Sequence, residues 1–242
     1  MLKNKIKDFL LIPPYEVIHF FKTKKLKKTS KKEIENYVKS NILKKLQIGS
    51  GGTILKGWLN TDLVLENPLV THMDAGKRFP LEDSSFDFIY SEHLFEHLTY
   101  QQQCNYLAES FRVLKPGGKI RIATPNIEFL LKLASNNISD LERKYLEWNS
   151  KHFLNENSCN YDSFNSLHVY VINNYFKAWG HQLIHSKNSL AELVTKFGFT
   201  DIKYEIVSMS DSPELRNLEH HMSQLGEEFN ILETMIIEAI KL

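Results

Sequence analysis

Short apolar runs bounded by polar or turn-forming residues recur through the middle of the chain. They predict five buried strands, at 43–48, 57–62, 70–74, 86–90 and 119–124. Apolar residues at helical spacing between the last two strands predict a helix that ends at Lys115-Pro116-Gly117-Gly118, where proline and glycine turn the chain. Strands that alternate with loops or helices in this order predict an α/β fold with a doubly wound, mainly parallel sheet.

Less regular segments flank this core. Residues 1–42 predict a basic helical arm, broken at Pro13-Pro14. Residues 127–178 predict a helical insertion over the ligand-binding edge of the sheet. A helix at 189–197 and a strand at 199–208 follow the insertion.

The end of the chain carries a heptad pattern. Steps of three and four residues separate eight apolar positions: Leu215, Leu218, Met222, Leu225, Phe229, Leu232, Ile236 and Ala239. This spacing predicts a C-terminal helix over 211–242, after a main domain at 43–210. Acidic residues surround the stripe, so we expect the helix to pack against the lysine-rich arm, within the chain or, preferably, across a homodimer.

Composition narrows the class of protein. The chain has 242 residues, of which 42% are hydrophobic and 24% charged, and this excludes a collagen-like or wholly disordered chain. No apolar run reaches the roughly 18 residues of a membrane-spanning helix, and the start lacks the pattern of a secretory signal. Cys104 and Cys159 are too few for a disulfide framework or a cysteine-rich zinc site. We therefore expect a cytoplasmic protein.

The net charge of +1 hides an uneven distribution. Residues 1–45 hold 13 Lys against 4 acidic residues, whereas the remainder holds 17 basic and 25 acidic residues. A basic arm of this kind suits anionic lipid at a membrane surface, or nucleic acid. The alternative is a solvated arm that docks on its own acidic domain.

Candidate ligand-binding residues follow the first three predicted strands. Gly49-Ser50-Gly51 follows the first, and such glycines let backbone N–H groups approach an anionic ligand. Ile54 stands where a dinucleotide fingerprint requires a third glycine, and a Walker loop is absent. Asp62 after the second strand can accept hydrogen bonds from a ribose, and Asp74 after the third from an exocyclic amine. Together these residues suit an adenosine without a pyrophosphate.

Four segments in this order resemble class I S-adenosylmethionine-dependent methyltransferases of the type 11 group: LQIGSGG, GWLNTDL, HMDAGKRFPLEDSSFDFIYSEHLFEHL and FRVLKPGGKIRIATPN. The resemblance implies a Rossmann-like methyltransferase fold with S-adenosylmethionine as cofactor. It also implies these cofactor-binding residues: Gly49, Ser50 and Gly51 at the methionine part, Asp62 and Leu63 at the ribose, Asp74 and Ala75 at the adenine, and Ser91 and Glu92, with His93, near the sulfonium. The segment AWGHQLIHSKNSLAELVTKFGF is similar to a subset associated with surface-polysaccharide or sugar-modifying genes.

Methyl transfer to a hydroxyl benefits from a general base, for which histidine is the common side chain. The candidates are His93, His97 and His181, with His168 in the insertion as a fourth. His97 would share a helix face with His93 if a helix began there. A His93/His97 pair with Glu92 or Glu96 could instead bind a divalent metal, but we expect no metal.

These observations lead to three functional hypotheses. We expect S-adenosylmethionine-dependent methyl transfer to a hydroxyl or amine of a small, sugar-like acceptor in surface-polysaccharide biosynthesis. The first alternative is a nucleic-acid or protein methyltransferase guided by the basic arm. The sequence Ser91-Glu92-His93 disfavours a nucleic-acid substrate, because methyltransferases that act on the amino groups of bases usually have an Asn/Asp-Pro-Pro-Tyr motif at this position. The second alternative is a non-catalytic scaffold of the same fold.

Overall fold

The computed structural model describes residues 29–65, 67–154, 165–220 and 226–242. The strands within this part are β1 Lys45–Ile48, β2 Leu59–Asp62, β3 Thr71–His72, β4 Phe86–Glu92, β5 Leu114–Pro125, β6 Phe199–Glu205 and β7 Thr234–Lys241. The helices are α1 (29–40), α2 Tyr100–Val113, α3 Ile127–Leu133, α4 Asp140–Phe153, α5 Leu167–Lys177, α6 Lys187–Lys196 and α7 Glu227–Glu233, with 3₁₀ turns at Phe95–His97 and Pro213–Leu215.

All seven strands form one sheet, in the order β3-β2-β1-β4-β5-β7-β6. The strands β1 to β5 pair in parallel, and β7 runs antiparallel to both of its neighbours, β5 and β6. The chain therefore winds outward from β1 in one direction and from β4 in the other. This confirms the predicted doubly wound, mainly parallel α/β fold.

The five predicted strands and the helix that precedes the fifth are all present. Helix α2 begins with a capping box between Thr99 and Gln102 and buries Tyr106 and Leu107 against the sheet. It ends at Val113, before the predicted proline–glycine turn. In the β4–β5 ladder the register jumps from Phe86 opposite Leu114 to Phe88 opposite Lys119, so residues 115–118 loop out of the pairing. The turn chemistry thus sets where β5 joins the sheet.

The insertion forms a second apolar cluster beyond the end of β5. Helices α3, α4 and α5 bury Phe129, Leu130, Tyr145 and Val171 together, and Phe229 of α7 packs against them. This bears out helices in the insertion, within the described residues. The cluster covers the end of the sheet at which β5 and β7 meet.

The predicted C-terminal helix over 211–242 is wrong. Helix α7 is a single short helix of 7 residues, after Gly226 at φ +85°, and the chain then becomes strand β7. Because β7 lies between β5 and β6, both of its faces are buried from Met235 to Ala239. A strand buried on both faces shows no alternation, and its apolar run fell into a heptad spacing by coincidence.

The correction removes two further expectations. The main domain cannot end at residue 210, because β7 belongs to the same sheet as β1. Of the acidic residues around the predicted stripe, Glu219, Glu233 and Glu238 are buried, whereas Glu227 and Glu228 are exposed. Glu219 and Glu238 pair with Arg121 rather than with lysines of the arm. The predicted homodimer thereby loses the helix on which it was based.

Helix α1 is the described part of the basic arm, and its Ile34 is buried in the main core. The helical pieces around Pro13-Pro14 lie outside the described residues. Over the ranges that the structure does describe, no helix is both long and apolar enough to cross a membrane.

Candidate active site

The predicted site residues lie at the edge of the sheet where the parallel strands have their carboxyl ends. The strand order reverses between β1 and β4, which are neighbours in the sheet. In open parallel sheets, ligands bind outside the carboxyl ends of the strands at such a reversal. The candidate site therefore lies where the fold itself predicts a ligand.

The loop after β1 has a conformation that only glycine adopts without strain. Gly49 has φ +72°, and a Cβ atom there would lie 2.8 to 2.9 Å from three side-chain atoms of Leu94. The N–H groups of Gly49 and Ser50 both donate to the carbonyl of Thr61, at 2.9 and 3.0 Å. The loop is thereby closed against the end of β2. No helix forms between Gly51 and Trp58, as the shortness of the link predicts.

Asp62 is tied directly to this loop. Its Oδ2 atom accepts a hydrogen bond from the N–H of Gly51 at 2.8 Å, and its Oδ1 atom accepts from the N–H of Val64 at 2.8 Å. Gly51 has φ +50°, and a Cβ atom added there would meet nothing within 4 Å. The loop and the carboxylate thus border open space at the end of β1, and the exposed Leu63 follows Asp62.

The other predicted cofactor residues flank this space. Asp74 accepts from the N–H of Gly76 at 3.0 Å and pairs with Lys77 at 2.7 Å, and the buried Ala75 follows it. In β4, Ser91 is buried and accepts a hydrogen bond from the hydroxyl of Tyr106 at 2.9 Å. The Glu92 carboxylate accepts the backbone N–H of His220, at 2.9 and 3.0 Å to its two oxygens. The carboxylates of Asp62, Asp74 and Glu92 thus lie at the carboxyl ends of β2, β3 and β4. The N–H groups of Gly49, Ser50 and Gly51 are paired within the protein, so this edge offers acceptors rather than loop donors to an adenosine-containing cation.

His93 lies at the end of β4 and not on a helix. Its φ is +45°, and the helix face expected for His93 and His97 is replaced by the 3₁₀ turn Phe95–His97. Its Nδ1–H donates to Oε1 of Glu96 at 3.1 Å, and its Nε2 lies 3.3 Å from the hydroxyl of Thr234. Burial alone would lower the pKa of His93, but the hydrogen bond and the charge of Glu96 outweigh burial and raise it to about 8.

Glu96 holds the site together from beneath. Its side chain is fully buried, its Oε2 atom accepts from the hydroxyl of Thr124 at 3.0 Å, and its carbonyl accepts the N–H of Gln182 at 2.7 Å. Burial alone would raise the pKa of this carboxyl. The hydrogen bond from His93 and the charge of His93 have the larger effect, so the pKa of Glu96 is below its usual value. The negative charge of Glu96 therefore fixes His93, and its backbone carbonyl fixes the loop at residue 182.

His97 and His181 meet beside this carboxylate. Their rings are 4.8 Å apart between centroids and inclined at 71°. The Nδ1–H of His181 donates to the carbonyl of Tyr175 at 2.7 Å, and burial, its largest influence, lowers the pKa of His181. The structure thus brings His93, His97 and His181 together around Glu96. His168 lies in the first turn of α5 and does not belong to this group.

Sequence reasoning missed several polar residues on this side of the site. Glu233, which is buried at the end of α7, accepts hydrogen bonds from the hydroxyls of Tyr145 and Tyr175. Thr234 begins β7 and lies beside His93. The signal that could have placed them is the run TMIIEAI, whose β-branched residues favour a strand over a helix.

The middle of the chain matches a known protein family model. Residues 57–122 match the family model described as a methyltransferase domain. The match agrees with the methyltransferase resemblance over these residues, and S-adenosylmethionine is the cofactor of the matched domain. A search among curated proteins finds no match. The resemblance to a sugar-associated subset stays a prediction.

Several solved structures are similar to this chain at low sequence identity. One is phosphoethanolamine N-methyltransferase 2 of Haemonchus contortus, solved with phosphomonomethylethanolamine and S-adenosylhomocysteine. It is 15% identical to this chain, with a TM-score of 0.43, and the alignment covers 88% of this chain and 52% of the Haemonchus chain. An S-adenosylmethionine-dependent methyltransferase of Archaeoglobus fulgidus is 18% identical with a TM-score of 0.47, covering 92% and 99%. One from Mesorhizobium loti is 14% identical with a TM-score of 0.49, covering 82% and 91%. The chain spans about half the length of the Haemonchus enzyme, and none of these similarities carries an inference about substrate.

Proposed function

We propose that the protein transfers a methyl group from S-adenosylmethionine to a hydroxyl or amine of a small molecule. The observation that carries this proposal is the hydrogen bond of 2.8 Å from Gly51 N–H to Asp62, which joins the glycine loop to the carboxylate after β2. It lies at the reversal of strand order, beside open space at Gly51. A match to the methyltransferase-domain model over residues 57–122 supports the same assignment.

The chain's own residues would hold the cofactor and align it. When bound, S-adenosylmethionine supplies an electrophilic methyl group on a positively charged sulfur. Gly49 and Gly51 allow the backbone to approach the methionine part, Asp62 has lone pairs left for the ribose hydroxyls, and Asp74 faces the adenine end. Methyl transfer is an in-line displacement, so the contribution of the protein is alignment and exclusion of water.

The proposed proton acceptors are His93, His97 and His181, and hydrogen bonding favours His181. A carbonyl only accepts hydrogen bonds, so the bond from His181 to Tyr175 fixes the proton on Nδ1 and leaves the lone pair on Nε2 in the neutral ring. His93 instead has Glu96 at one nitrogen and Thr234 at the other. In this assignment Glu96 is a positioning residue for His93.

Binding of S-adenosylhomocysteine by calorimetry tests the cofactor assignment without knowledge of the acceptor. Asp62→Ala should lose about 1.5–3 kcal/mol of affinity, because a hydrogen bond to a charged acceptor is removed. The matched control is Asp211→Ala, which removes an exposed carboxylate paired with Lys203 far from the site. Equal affinity of folded Asp62→Ala and Asp211→Ala would refute the assignment.

Turnover assays test the acceptor class. The release of S-adenosylhomocysteine, measured with each of a panel of sugar nucleotides and with RNA, would identify that class. A sugar-linked acceptor is our proposal because residues 178–199 are similar to sugar-associated methyltransferases.

With an active acceptor, His181→Ala should lower turnover about 10²- to 10⁴-fold while cofactor affinity stays unchanged. His152→Ala, at an exposed histidine, is the control; near-normal turnover in all three variants of the histidine group would exclude a histidine base.

A further inference from the structure

Three side chains at the site have the composition of a metal-binding site. Glu96 and His97 come from the 3₁₀ turn after β4, and His181 comes from the loop between α5 and α6. One ligand atom from each can be chosen so that all three lie within 4.8 Å of one another. We propose that Glu96, His97 and His181 bind one divalent transition-metal ion of the zinc type.

The donor atoms suit such an ion. Imidazole nitrogen and carboxylate oxygen are the ligands of catalytic zinc sites, in which two histidines and one glutamate are one established combination. Three protein ligands leave one tetrahedral position open for water or substrate. An ion at this position would lower the pKa of a hydroxyl bound to it, which is a second way to activate an acceptor.

His181 has the hydrogen bond that metal-binding histidines usually have. Its Nδ1–H donates to the carbonyl of Tyr175 at 2.7 Å, so the lone pair is on Nε2. An outer hydrogen bond of this kind fixes the tautomer and the ring orientation of a ligand. Gly180, at φ +80°, turns the chain so that His181 faces His97, and a Cβ there would lie 3.9 Å from Nδ1 of His97.

Glu96 is held in a comparable way. His93 lies 3.1 Å from its Oε1 atom and Thr124 lies 3.0 Å from its Oε2 atom. Each carboxylate oxygen has two lone-pair directions, so these hydrogen bonds leave capacity for an ion. The same residue fixes the opposite ligand, because its carbonyl accepts the N–H groups of Gln182 and Leu183 at 2.7 and 3.2 Å. Two ligands are thus tied together by the backbone.

The ring geometry needs a modest adjustment. Two imidazoles on one tetrahedral ion have ring centroids about 5 Å apart, and those of His97 and His181 are 4.8 Å apart. The ligand atoms themselves must approach to about 3.3 Å, given metal–ligand bonds of about 2 Å. His97 is not fully buried, so rotation of its ring can supply that movement while His181 keeps its hydrogen bond to Tyr175. The alternative is a pair of stacked histidines that binds no ion.

Zinc and cobalt titrations of the untagged full-length protein, after treatment with a chelator, test the proposal. We expect one Zn²⁺ per chain by calorimetry, and Co²⁺ should give the strong visible absorption of a tetrahedral complex. His97→Ala and His181→Ala should each weaken binding by more than about tenfold, since even loss of an outer-shell partner costs that much. The control is His152→Ala, which removes an exposed imidazole stacked on Trp148.

Two outcomes would overturn the metal site. One is the absence of saturable binding at one ion per chain. The other is equal affinity in His97→Ala, His181→Ala and His152→Ala, which would place the ion elsewhere. Should an alanine variant not fold, His97→Gln or His181→Gln takes its place. Ligation and proton acceptance use the same Nε2 atom of His181, so a metal-loaded site excludes that imidazole as the base. The Asp62→Ala test of cofactor binding is independent of either result.

Discussion

The two sides of the carboxyl edge are assembled from contacts of very different range. Beside β1 and β2, Gly51 and Asp62 are 11 residues apart. Beside β5 and β7, the ion pair between Arg121 and Glu238 joins residues 117 apart, and the hydrogen bond from Tyr145 to Glu233 joins residues 88 apart. The half beside β1 and β2, which we assign to the cofactor and call the cofactor side, can therefore form from local chain geometry. The half beside β5 and β7, where we propose that the acceptor binds and which we call the acceptor side, is complete only after β7 has entered the sheet.

The largest expected effect is on the long-range side, at Arg121. Its guanidinium is buried with Glu219 at 2.7 Å and Glu238 at 2.5 Å. Arg121→Leu leaves two buried carboxylates without their cation, so we expect a loss of about 3–5 kcal/mol in the free energy of unfolding. Urea denaturation followed by circular dichroism measures it.

An exposed ion pair provides the control for Arg121. Lys203 pairs with Asp211 at 3.0 Å and both side chains are exposed, so solvent screens the pair and Lys203→Ala should lower the free energy of unfolding far less than Arg121→Leu. In the Arg121→Leu protein, Glu219→Gln should recover part of the loss because it removes one uncompensated charge. If Arg121→Leu costs no more than Lys203→Ala, the ion pairs of Arg121 with Glu219 and Glu238 do not stabilise β7.

This contrast explains which parts of the molecule could be predicted from sequence. The first five strands are bounded by turn-forming residues, and the carboxyl ends of parallel strands must meet at one edge. Gly49, Asp62 and Asp74 could therefore be placed at that edge from their positions after strands. The match to a methyltransferase domain, over residues 57–122, includes Asp62 and Asp74 but begins after β1 and Gly49.

The second expected effect separates two glycines of the cofactor side. Gly49→Ala combines a left-handed backbone, costing about 1–2 kcal/mol, with a Cβ atom within 2.9 Å of Leu94, for which overpacking costs about 1–3 kcal/mol. We expect about 2–5 kcal/mol in total. Gly51→Ala should cost only about 1–2 kcal/mol, because its Cβ atom would meet nothing within 4 Å.

Gly51→Ala should affect cofactor binding as well as stability. The added methyl group of Gly51→Ala points into the space that we assign to the cofactor, so folded Gly51→Ala should bind S-adenosylhomocysteine more weakly than the wild type. Thermal unfolding with and without S-adenosylhomocysteine gives both quantities in one experiment. Equal stabilisation of Gly51→Ala and wild type by the ligand would contradict the proposed location of the cofactor.

The acceptor side could not be predicted for a physical reason. Glu233, Glu238 and Thr234 are polar residues within an apolar segment, and the heptad spacing assigned them to helix positions. Their partners, such as Tyr145 and Arg121, are set by the topology of β7 and not by neighbours in the chain. Periodicity alone does not distinguish a strand buried on both faces from a buried helix. The runs of β-branched residues were the better guide.

The smallest expected effect tests whether hydrogen bonds to Glu233, the last residue of α7, tie the insertion to the start of β7. Tyr145 and Tyr175, from α4 and α5, both hydrogen-bond to the buried Glu233. Tyr145→Phe keeps the ring in its apolar cluster and removes one donor to a carboxylate, so it should cost about 1.5–3 kcal/mol. Tyr100→Phe, at a side chain that is 53% exposed, should change stability by less than about 0.5 kcal/mol. Because both tyrosines share one acceptor, the double variant Tyr145→Phe/Tyr175→Phe should depart from the sum of the single variants by about 0.5 kcal/mol or more. If Tyr145→Phe costs no more than Tyr100→Phe in urea denaturation, the insertion is joined to α7 and β7 by apolar packing alone, and the long-range polar contacts of the acceptor side end at Arg121.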